Sequence, residues 1–163
     1  MGTGQMLLTV AAIMLLGTVI LSTNRRIATT SSIMSTANYG LEDVALATKI
    51  IQEAQSKAFD QATADSLPIS GVSSFSATLG QESGSNDFDD FDDYNGYSPL
   101  FSNLATGDYR ASVTVRYVKY NPTTKTIDTT STRQWSKRID VAVWNTVDPA
   151  NVVRMHAIMS FWR

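Results

Sequence analysis

The stretch Met6 to Leu21, MLLTVAAIMLLGTVIL, carries no charge and no polar side chain beyond Thr9 and Thr18. Uncharged sequence extends from Met1 to Asn24, which as a helix would cover roughly 36 Å, enough to cross the hydrocarbon core of a bilayer. The apolar core alone, at roughly 24 Å, would be marginal. After Asn24-Arg25-Arg26 no proline appears until Pro68, so an apolar segment runs directly into a longer helical pattern. That continuity predicts one long helix serving two environments.

The register of this beginning resembles the type IV pilin superfamily, the pilins and the pseudopilins of type II secretion. In that family the mature chain follows a cleaved glycine, opens on a small or apolar residue, has glutamate fifth, and stays apolar to about the twenty-first position. Here Met1 stands first, Gln5 takes the glutamate's place, and the run ends at Leu21. Gln5 is the departure. A glutamate can neutralise a neighbour's terminal amine inside an apolar bundle, whereas a glutamine can only accept a hydrogen bond from it. A second register, cleaved after Gly4, would make Gln5 first and Thr9 fifth, and an initiator methionine is a third explanation for Met1.

Charge placement bears on these alternatives. Arg25 and Arg26 follow the apolar run and nothing basic precedes it, so the positive-inside rule would leave the C-terminal bulk in the cytoplasm. Removal of a basic leader, as the resemblance implies, would lift that conflict. A signal peptide would need a basic start and a small-residue cleavage site, neither visible; a plain single-pass anchor is the simpler alternative.

The resemblance implies a structural subunit of an extracellular filament, a helical homopolymer stored in the inner membrane before pilus assembly machinery extracts it. Its assembly residues would be Met1, Gln5, Met6, Leu7, Leu8, Ala11, Ala12, Ile13, Leu15, Leu16, Val19, Ile20 and Leu21, with Gln5, Thr9 and Thr18 finding partners inside the bundle. A minor pilin or pseudopilin of a secretion or uptake machine, and a membrane-anchored binding module, are the alternative functions. Adhesion, motility, secretion and conduction are not separable at this level. The family's helix can unwind near a glycine and a proline; this chain has Gly17 there and no proline.

The expected fold is α+β: an apolar helix half over 1–26, an amphipathic continuation over 27–67, and a β head over 68–163. From Ala37, the positions Ala37, Leu41, Val44, Ala47, Ile51, Ala54 and Ala58 recur at helical spacing and predict the face that meets a sheet or neighbouring subunits. Glu42, Asp43, Lys49, Glu53 and Lys57 would then face water, with Glu53 and Lys57 paired four apart. Pro68 would end the helix. Short strands are conceivable at Ser74 to Leu79. Alternation at Ala111-Val113-Val115-Tyr117, at Trp135-Ile139-Val141-Val143 with Lys137 interrupting, and at Val153-Met155-Ala157-Met159-Phe161 predicts an antiparallel meander. Turns fall at 121–125 and 147–151, and the amphipathic helix would cover the apolar side.

The most unusual local sequence is NDFDDFDDYNGY, 86–97. Phe88, Phe91, Tyr94 and Tyr97 recur every three residues, with Asp87, Asp89, Asp90, Asp92 and Asp93 between them. Clustered carboxylates repel, and Ca²⁺, which takes six to eight oxygens, would hold them together. Asp89, Asp90, Asp92, Asp93 and Asn95 are the candidate ligands, and some pseudopilins bind calcium in a head loop. The spacing is not that of an EF-hand: placing Asn95-Gly96 at its fifth and sixth positions puts Phe91 first and Ser102 twelfth. The plain alternatives are a solvated loop pinned by its rings, or a surface that meets a neighbour's Arg110, Arg116 or Lys119.

With 163 residues, no cysteine and a formal charge of -2, the chain has no disulfide framework and no basic patch for nucleic acid. His156 is the only histidine and lies within a strand pattern, so no nucleophile-base arrangement is marked and no enzyme is expected. No cofactor is required beyond the possible Ca²⁺. Trp135, Trp144 and Trp162 could line a ligand surface, although aromatic strand residues usually pack.

Overall fold

The computed structural model describes residues 2–82, 87–104 and 106–162. It is α+β: one long N-terminal helix, α1 (Thr3–Gln55), a short helix α2 (Gln61–Ala64), and a five-stranded antiparallel sheet. Contacts divide the chain into two compact units, 1–39 and 40–163, and the division falls inside α1. The expected assembly residue Met1 lies outside the described residues, as do Asn86 and its three predecessors.

In the first unit α1 is unbroken and Gly17 is helical. It is long and apolar enough to cross a membrane. Met6, Leu7, Leu8, Ile13, Leu15, Leu16, Val19, Ile20 and Leu21 are all exposed, Leu8 the most at 73 %. Thr9 Oγ1 donates to Met6 O at 2.9 Å and Thr18 Oγ1 to Leu15 O at 2.8 Å. Thr23, Thr29 and Thr36 likewise donate to their own helix. The expectation that Thr9 and Thr18 need partners from a bundle is therefore corrected: each hydroxyl is satisfied one turn back, a bond threonine makes readily in helices.

In the second unit the sheet follows the alternation of its strands. β1 (Leu100–Leu104), β2 (Gly107–Asn121), β3 (Thr126–Thr130), β4 (Ser136–Asn145) and β5 (Val152–Ser160) run in the order β1-β2-β4-β5, with β3 also on β2. β2, β4 and β5 are the expected meander; β1 and β3 are additions. They pair with opposite ends of β2, through Tyr109 and Arg110 and through 117–121. Across the buried face, Ala111, Val113, Val115 and Tyr117 stand opposite Val143, Val141, Ile139 and Lys137. Each such buried aliphatic contributes about 1.5–3 kcal/mol relative to exposure.

The helical stripe is corrected in its phase. Asp43, Ala47, Ile50, Ile51 and Ala54 are buried, whereas Leu41 is 69 % exposed and Val44 is exposed too. Burial rotates toward Asp43 because this is the face that meets the sheet, where Thr48 Oγ1 lies 3.9 Å from Met155 Sδ. Glu53 accepts the Tyr94 phenol at 3.0 Å in place of the expected partnership with Lys57.

α1 also stops well before Pro68. After Gln55 the chain extends, Ala58 pairs with Asp90, and Asp60 caps α2 with Thr63 in a reciprocal capping box. Phe91 N–H donates to Ala58 O at 2.8 Å, so backbone pairing with the acidic segment replaces another helical turn. The strands conceived over 74–79 are absent; a 3₁₀ turn at Val72–Ser74 leads to the buried Phe75.

Candidate functional site

The segment 87–97 folds inward. Phe91 and the 3₁₀ turn Asp92–Tyr94 make its centre. Phe88, Tyr94 and Tyr97 pack with centroids 4.9 to 5.8 Å apart, while Phe91 is buried separately. Gly96, at φ 86°, turns the chain onto the middle of β2, where Gly96 N–H donates to Val113 O and Val113 N–H to Tyr97 O, both at 3.0 Å.

Most of its carboxylates serve the protein itself. Asp90 Oδ1 accepts the Asp92 and Asp93 N–H groups at 2.7 and 3.1 Å, and Asp93 Oδ2 accepts those of Asp89 and Asp90 at 2.9 and 3.1 Å. Asn95 is a strut: its amide donates to Leu79 O and its Oδ1 accepts Val115 N–H, each at 3.0 Å. The five candidate ligands do not converge on one point. Asp89 and Asp93 instead join Glu82, which sequence reasoning missed, in a group whose oxygens lie within 4.8 Å of one another. Three carboxylates would need water or backbone oxygens to complete a calcium shell. Asp90, Asp92 and Asn95 are directed elsewhere.

Asp92 points to the centre of the head. There Lys137, fully buried on β4, donates to Phe59 O at 2.8 Å, to Asp60 Oδ2 at 2.7 Å and to Asp92 Oδ1. Its ammonium lies 4.6 Å from the Phe59 ring centroid and 5.4 Å from that of Tyr117, within cation-π range. Asp60 is the best-supported acid: Ser76 N–H, Ser76 Oγ and Ala62 N–H also donate to it, and the Tyr117 phenol, which donates to Ser76 O at 2.8 Å, lies 3.4 Å from it. Around this centre Phe59, Phe75 and Tyr117 form an apolar cluster closed by Ile69, Val72, Leu79, Met159 and Phe161.

The electrostatics follow from burial. Desolvation, with the neighbouring Asp92 charge, pushes the Asp90 carboxyl up to about 8. Burial also raises Asp92, against the opposing pull of Lys137, and raises Asp93 against the N–H groups it accepts. The Tyr117 phenol is raised by burial and by the Asp60 and Asp92 charges. One oxygen on each of Asp90, Asp92 and Asp93 is buried without a hydrogen-bond partner among the described residues.

Lys137 and Asp60 are the residues that sequence reasoning did not assign. A signal existed: a lysine on the inward phase of a strand has to meet an acid. His156, expected on an outer face, is exposed on β5. Trp135 stacks on Phe161, centroids 6.0 Å apart, while Trp162 is exposed. No family model matches the chain, and no curated protein or solved structure matches it either.

Proposed function

We propose that this chain is the structural subunit of a type IV pilus-like extracellular filament, held in a membrane before assembly and polymerising through the apolar half of α1. The observation that carries the reading is the surface of α1 between Met6 and Leu21, apolar and exposed on every side, with Thr9 and Thr18 bonded back to their own helix. A helix apolar all round is stable against lipid or against other such helices, and a filament exchanges the first for the second. Repetition of one heterologous contact that does not close gives a helical polymer. Gln5 supplies a hydrogen bond, not a charge, to this assembly.

The test is microscopy of material sheared from the cell surface, with intact mass and N-terminal sequencing of the same fraction. Thin filaments containing this chain, starting at Met1 or Gln5 after a removed leader, are the expected result. An unprocessed chain confined to membranes, with no filaments, would overturn the reading in favour of a single-pass anchored binding module.

A further inference from the structure

We propose that Lys137 and Asp92 become joined by an intramolecular amide bond, formed by the folded head itself with Asp60 as the base. The amine and the carboxyl are in contact, both are fully buried, and β4 and the 3₁₀ turn hold them there. Such fixed approach of two reactants, shielded from water, replaces a bimolecular encounter by an intramolecular one.

The two acids around Lys137 are not equivalent. Asp60 receives donors from Ser76 and Ala62 besides the lysine, so it remains satisfied as a carboxylate when the lysine charge is gone. Apart from the neighbouring Asp90 carboxyl, Asp92 has only Lys137, on Oδ1, and its Oδ2 is buried without a hydrogen-bond partner among the described residues. Amide formation removes the Lys137 and Asp92 charges together and abolishes that unpaired carboxylate. The remaining N–H has Phe59 O as its acceptor site, the carbonyl that the ammonium now meets at 2.8 Å.

The reaction needs no outside reagent. The Lys137 ammonium passes one proton to the Asp92 carboxylate it touches, and the freed amine attacks Cγ of the resulting acid while Asp60, 2.7 Å from the nitrogen, takes a second proton. The tetrahedral adduct loses its hydroxyl, which leaves as water with the proton held by Asp60. One C–N bond forms, one C–O bond breaks, and Asp60 returns to a carboxylate. Ammonium and carboxylate thus become amide and water, with no oxidant or reductant.

The cross-link would tie residues 45 apart in sequence, in a chain without a cysteine to do so. Like a disulfide, it would restrict the unfolded chain.

The full-length chain, purified in detergent, decides the question by intact mass and by digestion at aromatic residues, which separates Asp60 from Asp92. The expected result is a mass lower than that of the sequence by one water, with one branched peptide joining Lys137 to Asp92. A full sequence mass with both residues in linear peptides would overturn the proposal. So would a lost water confined to a linear peptide, or a branch at Asp60. Lys137→Arg, which keeps the charge, should restore the full mass, and Asp92→Asn should give the same branch with loss of ammonia. Asp60→Asn should leave the pair unjoined in a chain whose circular dichroism matches the parent; joining at the parental extent would remove Asp60 from the mechanism.

Discussion

Between Met6 and Leu21 the apolar side chains stand outside and the hydroxyls fold back onto their helix, whereas around Lys137 the charges are inside and aromatic rings surround them. Both arrangements obey one rule, that a polar group removed from water must be paired. The helix satisfies it within one turn. The head answers it across the fold, joining Asp60 after α1, Asp92 in the acidic segment and Lys137 on β4, while one oxygen on each of Asp90, Asp92 and Asp93 stays unpaired among the described residues. Local pairing leaves α1's surface free for any apolar neighbour, and long-range pairing makes the head one interdependent structure.

The largest effect should follow from breaking the long-range side. Lys137→Met removes the nitrogen that Asp60 and Asp92 meet, as ammonium or as amide, and leaves both acids buried without it; it should cost about 3–5 kcal/mol, read as a fall in the denaturation midpoint of the head. On the local side, Met14→Lys puts a charge where α1 is apolar and should cost about 3 kcal/mol in membrane insertion. It should abolish both the membrane pool and filaments on fractionation; filaments of that variant would refute the helical-core reading.

The pH dependence separates the two regions further. Asp90, with its folded pKa raised to about 8, binds a proton more tightly in the folded than in the unfolded chain. Its contribution is complete below the unfolded value near 3.8 and is lost as pH rises through about 8. Thermal melts should therefore show the head losing about 2 kcal/mol between mildly acidic and mildly alkaline buffer. Asp90→Asn should flatten that slope. The smallest effect is expected for Asn95→Ala, which unpairs Leu79 O and Val115 N–H and should cost about 1–2 kcal/mol by urea titration.

The same division explains what could be read in advance. The apolar helix and strands β2, β4 and β5 are legible because their patterns repeat every turn or every second residue. The phase of the amphipathic stripe was not, because alanines occupy several faces and only the sheet selects Asp43, Ala47, Ile50, Ile51 and Ala54. The end of α1 at Gln55 depends on Asp60 being needed at Lys137, a pairing 77 residues apart that no local pattern encodes. β1 and β3 are short additions to one edge of β2, without a strong alternation of their own. Within the acidic segment the crowding of carboxylates was legible as a need for a cation, but the cation that answers Asp92 sits on β4.

The position of Asp60 also has a mechanical consequence. It lies just past the end of α1, and Lys137 ties it sideways to a central strand, before the chain has travelled through 68–99 to reach the sheet. A pull that reaches the end of α1 is thus passed at Asp60 into β4. Resistance to load is a matter of rate, set by the barrier to opening the first contact in line. In this head the packed α1 face at Asp43, Ala47, Ile50, Ile51 and Ala54 and the Ala58 pairing come first in that line, and Lys137 backs them at the end of the helix.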